Sequence, residues 1–193
     1  MNPDTDRSLS TGGIILAGGK SSRFGTDKGL ALFRGKPLIS WSLNALVPLV
    51  DEILIISSNR EYEKFGYRVI PDIIPGLGPL GGMLTGLKSA SHHLNFVVSC
   101  DTPMISTELL SYLQTHANGY EAVVPLNVSN QYEPLCAIYS KSCVPAIAKM
   151  TESGDHKVLD LYKHVNTRSI RIDQHLPFYN DFIFLNINTL DDI

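Results

Sequence analysis

Cysteine, net charge and long apolar runs are all scarce in this sequence, and each scarcity excludes a class of protein. The 193 residues include three cysteines, Cys100, Cys136 and Cys143, without a C-x-x-C pair, which argues against a disulfide framework or a zinc site. The formal net charge of -3 provides no overall positive field that would attract nucleic acid. No apolar run approaches the roughly 20 residues of a membrane span, and the polar start of the chain lacks an apolar signal core. We therefore expect a cytoplasmic protein that binds neither nucleic acid nor membrane.

Signs of covalent catalysis are missing as well. The chain has no G-x-S-x-G motif, and the adjacent His92 and His93 have no third ligand at a metal-binding spacing. The composition, with 44% hydrophobic and 18% charged residues, is ordinary for a globular protein. The length suits one domain, which we predict to span residues 1–193, with residues 1–11 flexible.

Glycines and cationic residues are concentrated in one stretch near the amino terminus. The apolar run 14–16 stops at Ala17-Gly18-Gly19, and a polar loop with Lys20, Arg23 and Lys28 follows. A short apolar run closed by glycines is typical of a buried strand that leads into a loop. Neighbouring glycines let backbone N–H groups surround an anion, and the cationic side chains can meet its charge. The stretch therefore predicts a triphosphate-binding loop.

Two better-known phosphate loops do not fit this stretch. The leading glycine of a P-loop would fall on Ile14, and Lys20 stands where the dinucleotide fingerprint needs a glycine. The simplest alternative is a surface turn rich in glycine and serine. Three cations beside a strand end favour the phosphate-binding interpretation.

Strand and helix patterns alternate along the front half of the chain. We predict strands at 13–17, 52–57, 67–70 and 95–99, and helices at 37–47, 61–65, 83–91 and 107–116 with Thr107 as a cap, with a glycine-rich loop at 75–82. Further strands are predicted at 121–125, 135–139, 167–172 and 182–185, and helices at 142–150 and 156–164. This order predicts an α/β fold with a parallel sheet covered on both faces. Ligands bind at the carboxyl ends of such strands, where the loops at Gly18, Asn59, Asp72 and Asp101 would meet.

A single carboxylate follows the fourth predicted strand, in the motif Cys100–Pro103. Mg²⁺ takes one or two protein carboxylates together with phosphate oxygens, so Asp101 is a candidate ligand. The alternative is a turn-forming aspartate before Thr-Pro. The phosphate loop predicted at the same sheet edge favours the metal. The sequence shows no evident second ligand, and the tail asparagines or an acidic group of the substrate are the candidates.

Several motifs together resemble the molybdenum cofactor guanylyltransferases. These are LAGGKSSRFGTDK at Leu16–Lys28, GPLGGM at Gly78–Met83, CDTP at Cys100–Pro103, EPLCAIYS at Glu133–Ser140 and NINTLDD at Asn186–Asp192. The first motif resembles the wider nucleotidyltransferase group, and the combination resembles the guanylyl enzymes.

The resemblance implies an enzyme that transfers GMP from GTP to the phosphate of molybdopterin, or of its molybdenum-loaded form, and releases pyrophosphate. It implies a three-layer Rossmann-like nucleotidyltransferase fold with a mostly parallel sheet, and Mg²⁺ as cofactor. GTP and molybdopterin or molybdenum cofactor are the implied partners, with other cofactor-synthesis proteins and recipient molybdoenzymes as further ones.

The residues implied to act in the site fall into three groups. The catalytic group is Arg23, Lys28 and Asp101, with Asp101 as the metal ligand. The nucleotide-binding group is Leu16, Ala17, Gly18, Gly19, Lys28, Asn59, Asp72 and Asp101. The substrate-binding group is Gly78, Gly82, Asn186 and Asn188.

Other functions of related chemistry stay open at this point. One alternative is a cytidylyl enzyme for the same pterin, or an enzyme that acts on a sugar or alcohol phosphate. The other is a nucleotide-binding module without turnover, which the intact Arg23, Lys28 and Asp101 disfavour. The segment Gly154–Lys163 matches the family only loosely, so no pterin contacts are implied there.

Overall fold

A seven-stranded sheet forms the centre of the protein in the computed structural model, which describes residues 10–18 and 27–187. In chain order the strands are β1 (Thr11–Leu16), β2 (Leu32–Phe33), β3 (Lys36–Pro37), β4 (Glu52–Ile56), β5 (Arg68–Ile70), β6 (Leu94–Ser99), β7 (Ala122–Leu126), β8 (Cys136–Ser140) and β9 (Thr167–Arg171). The α-helices are α1 (Leu38–Leu46), α2 (Gly78–Ser89), α3 (Thr107–Gln114) and α4 (Val144–Glu152). Strands β2 and β3 form a separate hairpin.

The strands of the large sheet are ordered β5-β4-β1-β6-β8-β7-β9. All neighbouring pairs are parallel except those of β8, which runs antiparallel to both β6 and β7. Because two reversals restore the direction, β7 and β9 point the same way as β6. Six strands therefore end at one edge of the sheet, and β8 begins there. The mostly parallel α/β fold predicted from the sequence is confirmed.

The central strands bury side chains on both faces of the sheet. Ile14 of β1 belongs to the apolar cluster that contains residues of α2 and α4, and Ile15 belongs to the cluster that contains residues of α1 and α3. This explains why the strand reads as a continuous apolar run rather than an alternating one. A Cβ at Gly86 of α2 would lie 2.5 Å from Ile14 Cγ2, so the glycine permits close packing of α2 on β1.

Five predicted features differ from the structure. Helix α2 begins at Gly78, inside the predicted glycine-rich loop, because a proline is tolerated in the first turn and residues 80–82 are buried. Residues 182–185 form a turn rather than a strand, with Leu185 N donating to Phe182 O. The cap of α3 is Ser106, whose side chain accepts from Leu109 N, and not Thr107. The helices predicted at 61–65 and 156–164 are 3-10 helices, Arg60–Phe65 and Val158–Lys163.

The start of the chain is described from Ser10 onward. Ser10 Oγ donates to Asp51 Oδ2 at 2.7 Å, and the buried Thr11 begins β1 two residues before the predicted strand. The predicted flexibility of residues 1–11 otherwise concerns residues 1–9, which lie outside the described part of the chain. In residues 10–18 and 27–187, no helix has the length and apolar character needed to cross a membrane.

Candidate active site

The loops that carry the predicted site residues meet at the carboxyl edge of the sheet. Strand β1 lies between β4 and β6, and its continuation is fixed to both: Ala17 N donates to Ile56 O at 3.0 Å, and Cys100 N donates to Leu16 O at 3.1 Å. The start of the glycine-rich loop, at Ala17 and Gly18, therefore lies beside the ends of β4 and β6.

The side chains of Lys28 and Asp101 are in direct contact. Lys28 Nζ lies 2.5 Å from Asp101 Oδ2, and these side chains are only 20% and 13% exposed. Asp101 Oδ1 accepts a hydrogen bond from Ser99 Oγ at 2.5 Å. Two residues separated by 73 positions are thus joined in a partly buried ion pair, at the place where the sequence predicts a phosphate-binding cation and a metal ligand.

The last described residues of the chain contact this pair. Lys28 Nζ lies 3.4 Å from Asn186 Oδ1, and Ile187 N donates to Asp101 O at 2.9 Å. The buried Ile187 packs with Phe33 and Leu38, which fixes the tail to the core. The structure therefore brings the predicted Lys28, Asp101 and Asn186 together.

Asp27 is a hydrogen-bond acceptor at the centre of a second group, which sequence reasoning missed. Its carboxylate accepts from Gly29 N at 3.2 Å, from Asn59 Nδ2 at 3.0 Å and from the hydroxyl of Tyr62. Tyr62 is fully buried beneath the loop. The predicted Asn59 thus contacts the loop through Asp27, and the three bonds fix the backbone on which Lys28 is mounted.

Dense packing around Gly29 reinforces this arrangement. A Cβ there would lie 2.4 Å from the Tyr62 hydroxyl and 3.1 Å from Cys100 Sγ. Burial raises the pKa of Tyr62 and of Cys100 far above their ordinary values. Cys100 is therefore a neutral packing residue at neutral pH, in line with the absence of motifs for covalent catalysis.

Asp72 occupies a third position at this edge, after β5. Burial raises the pKa of its carboxyl group, and within the described residues its buried Oδ1 has no hydrogen-bond partner. A Cβ at Gly18 would lie 3.8 Å from Asp72 Oδ2, and one at Gly82 would lie 3.6 Å from Oδ1 and 3.1 Å from Leu16 Cδ2. The structure therefore brings the predicted residues Leu16, Gly18 and Gly82 close to Asp72, whose Oδ1 lacks a partner within residues 10–18 and 27–187.

Of the remaining predicted residues, the structure describes Gly78 but not Gly19, Arg23 or Asn188. Gly78 begins α2 with a φ of 62° and is exposed. Gly19, Lys20, Arg23 and Asn188 lie outside the described residues, so their predicted roles stay predictions.

A metal held by the protein alone is not supported by the ligands in the described part of the chain. No group of three or more His, Cys, Asp or Glu side chains occurs there. Asp101 offers one carboxylate, already beside Lys28. Because Mg²⁺ accepts one carboxylate with phosphate oxygens and water, the donor set fits a cation that arrives with a triphosphate.

A parallel sheet edge with a glycine-rich loop and facing charges is the arrangement of a nucleotide-binding α/β domain. The family described as MobA-like NTP transferase domain matches residues 13–168. The chain belongs to this family.

Relatives with similar sequences carry a more specific name. A Flavobacterium johnsoniae protein named probable molybdenum cofactor guanylyltransferase is 36% identical over 93% of each chain. A Pelotomaculum thermopropionicum protein of the same name is 34% identical, over 96% of this chain and 91% of that one. The crystal structure of molybdopterin-guanine dinucleotide biosynthesis protein A from Archaeoglobus fulgidus has a TM-score of 0.78 and 25% identity, over 94% of both chains.

Proposed function

We propose that this protein transfers GMP from GTP to the phosphate of molybdopterin or its molybdenum-loaded form. The family, the names of the relatives and the structural neighbour all support this activity. The single observation that carries the mechanism is the 2.5 Å contact between Lys28 Nζ and Asp101 Oδ2 at the edge of the sheet.

The reaction needs positioning and charge neutralisation more than a nucleophile on the protein. An oxygen of the acceptor phosphate attacks the α-phosphorus of GTP, and the bond from that phosphorus to the bridging oxygen breaks. Pyrophosphate leaves with the electron pair. Because the acceptor is already an anionic phosphate, no strong base has to remove a proton.

Lys28 supplies positive charge to the phosphates in this proposal. Its ammonium group is held in place by Asp101 and by the Asp27 hydrogen bonds to the backbone next to it. A charge that is preorganised in this way needs little reorganisation as charge develops in the transition state. Arg23 is proposed as a second cation of the same loop.

Asp101 would hold Mg²⁺ that arrives with the triphosphate. Such a cation would neutralise charge on the phosphates. Asp101 has two further effects that do not depend on the metal: it orients Lys28, and it anchors the tail through its backbone oxygen.

The nucleoside would lie along the part of the sheet edge that is formed by the ends of β1, β4 and β5, to one side of Asp101. Gly18 leaves space beside Oδ2 of Asp72, and this oxygen can accept a hydrogen bond from a nucleoside N–H or O–H group. Asn59 would act near the same nucleotide. Gly78, Gly82, Asn186 and Asn188 are proposed to contact substrates: the two glycines of α2 on the GTP side near Asp72, and the two tail asparagines on the acceptor side.

The decisive experiment is pyrophosphate release with molybdopterin and Mg²⁺, measured separately with GTP, CTP, ATP and UTP. Release with GTP, and formation of a guanine dinucleotide, are expected. Release with CTP alone would support the cytidylyl alternative. Nucleotide binding without release would indicate a module that has lost turnover.

Location and further partners are part of the same proposal. Cys100, Cys136 and Cys143 are free and buried, which fits the reducing cytoplasm. Proteins of cofactor synthesis and recipient molybdoenzymes are proposed to exchange the pterin with this enzyme.

A further inference from the structure

A second cleft opens at the same sheet edge, on the side of β6 opposite Asp72. It has a volume of about 230 Å³ and lies between the residues that follow β7 and β9 and the tail near residues 179–185. Its apolar lining includes Ile172, Tyr179, Ile183 and Phe184. We call this space the Glu133 cleft, because the carboxylate of Glu133 also lines it.

The Glu133 carboxylate is held as a fixed acceptor. Asn127 Nδ2 donates to Glu133 Oε1 at 2.9 Å, and Glu133 N donates to Pro125 O at 2.9 Å. Asn127 is itself fixed, because its Oδ1 accepts from Ser129 N at 3.0 Å. Among the residues that the structure describes, Asn127 is the one donor to this half-buried carboxylate, so Oε2 can accept from a ligand.

The chain segments that line the cleft are hydrogen-bonded to, or continuous with, segments of the proposed reaction centre. Ser99 N donates to Leu135 O at 2.9 Å, which ties the segment after Glu133 to the end of β6. Ile183 lines the cleft, and Ile187 donates to the backbone oxygen of Asp101. Four residues of chain span at most about 14 Å. A ligand in the cleft could therefore present a phosphate on a flexible arm to the site of Lys28.

The lining predicts the chemistry of the occupant. The apolar and aromatic residues of the lining favour a flat ring system. The polar residues beside them, which include the carboxylates of Glu133 and Asp181, favour a ring edge with N–H donors. A volume of about 230 Å³ is below the roughly 300–1,000 Å³ of pockets that enclose a whole drug-sized ligand. The cleft thus suits one ring system of a larger molecule.

We propose that the Glu133 cleft binds the pterin ring of the acceptor, and that Glu133 accepts hydrogen bonds from its 2-amino group and adjacent ring N–H. This inference rests on the proposed function and adds the residue that selects the acceptor. A pterin presents these two donors side by side, which matches Oε2 together with the second lone pair of Oε1, whose first partner is Asn127.

Guanine presents the same pair of donors, so the position of the cleft decides between the two rings. The glycine-rich loop and Asp72 lie toward β1 and β5, whereas Glu133 precedes β8 on the other side of β6. A nucleotide whose phosphates contact the loop is therefore expected to direct its base toward Asp72. The pterin is left for the Glu133 cleft. Burial also raises the pKa of Glu133, as expected for a carboxylate short of hydrogen-bond donors.

The binding test uses pterin and lumazine, a two-ring analogue with a carbonyl in place of the 2-amino group. Each is titrated into the full chain with NMR detection, for the wild type and for Glu133→Gln. The wild type is expected to bind pterin at least about 10-fold more tightly, because hydrogen bonds to a charged group contribute about 1.5–3 kcal/mol. Glu133→Gln is expected to lose this preference. An unchanged preference in the variant, or a wild type that does not distinguish the two rings, would overturn the proposal.

The matched kinetic test measures transfer to molybdopterin. Glu133→Gln is expected to raise the KM for molybdopterin about 10-fold or more, with the KM for GTP and kcat nearly unchanged. Glu152→Gln, the same change at an exposed position at the end of α4, is the control. A rise in the KM for GTP instead would place guanine in the cleft and overturn the proposal.

A second variant covers the case that Glu133→Gln does not fold. Ser129 is exposed and lines the cleft, so Ser129→Trp is expected to occupy the cleft and abolish pterin binding while GTP still binds. Pterin binding that persists would contradict the inference. The two proposals can also fail separately: Glu133-dependent pterin binding without GMP transfer rejects the function, and transfer with an unchanged acceptor KM rejects the role of Glu133.

Discussion

Two aspartates at one edge of the sheet differ in the partners of their carboxylate oxygens. Asp101 has a partner at each carboxylate oxygen: Oδ2 forms an ion pair with Lys28 and Oδ1 accepts from Ser99, while its backbone oxygen anchors the tail. Asp72 is half-buried, its buried Oδ1 has no partner within the described residues, and burial raises its pKa. In the described part of the chain, the β6 side is therefore preorganised without a ligand, whereas the β5 side has an acceptor without a partner.

This difference separates two tasks of a transfer enzyme. Groups that act on the reacting phosphates gain from being fixed in advance, because reorganisation then costs little in the transition state. A group that selects a nucleoside gains from being unsatisfied, because a ligand that lacks the donor leaves it unpaired. The predictions below test whether the two aspartates divide the work in this way.

The largest effect is expected from breaking the ion pair. Lys28→Ala and Asp101→Ala should each reduce turnover by roughly 10²–10³-fold or more, because each removes a preorganised charge. Far-UV circular dichroism should show an intact fold. Lys64→Ala, which removes an exposed lysine near Glu61, is the control. Near-full turnover in both site variants would refute the mechanism.

The Asp27 group should have the next largest effect. Asp27→Ala removes the acceptor of three hydrogen bonds and should reduce kcat about 10–100-fold, because Lys28 is then held less accurately. Tyr62→Phe removes one of these bonds and should reduce kcat only a few-fold. Steady-state kinetics with GTP and molybdopterin measure both. Asp27→Asn restores an acceptor, and it should recover more activity than Asp27→Ala if the role is positioning.

Substitutions of two glycines test the difference in packing between the surroundings of Lys28 and those of Asp72. Gly29→Ala should lower the free energy of unfolding by about 1–3 kcal/mol, because its Cβ would lie 2.4 Å from the Tyr62 hydroxyl. Gly18→Ala should affect stability less, since the nearest neighbour of its Cβ is 3.7 Å away, and should instead weaken GTP binding. Urea unfolding and GTP titration of both variants provide the measurement. Equal losses of stability would contradict the comparison.

Local patterns in the sequence were sufficient for the seven strands of the large sheet and for the edge at which the site lies, but they also predicted a strand at 182–185 that is a turn. The run before Gly18 predicts β1, and the position of Asp101 after a buried strand predicts its loop. The prediction failed where glycine and proline, which usually indicate a loop, stand in the first turn of a buried helix. Gly78 and Pro79 are predicted as loop, but they begin α2.

Contacts between distant parts of the chain were not predictable in the same way. Asp27 lies inside the recognised motif, but its role depends on Asn59 and Tyr62, which are 32 and 35 positions away. A fully buried tyrosine in a polar 3-10 helix gives no local signal of its partner. The Glu133 cleft was missed for the same reason, because its lining comes from three separate segments.

The smallest effect is expected at Asp72, where stability and binding should change in opposite directions. A carboxyl whose pKa is raised in the folded state keeps its proton to higher pH than in the unfolded state. Stability therefore falls as the pH rises from about 4, the ordinary pKa, through the raised folded value. Asp72→Asn removes this loss, and above that window it should raise the free energy of unfolding by about 0.5 kcal/mol, or roughly 1–2 °C in Tm.

The same variant should weaken GTP binding about 10-fold, since an amide offers one acceptor oxygen in place of two. Thermal unfolding from pH 4 to pH 8, with and without GTP, tests both expectations. The stabilisation should decrease toward the acidic end, because it depends on the carboxyl group losing its proton. A variant that is less stable at every pH and binds GTP normally would show that Asp72 is satisfied in solution, and the contrast with Asp101 would then be lost.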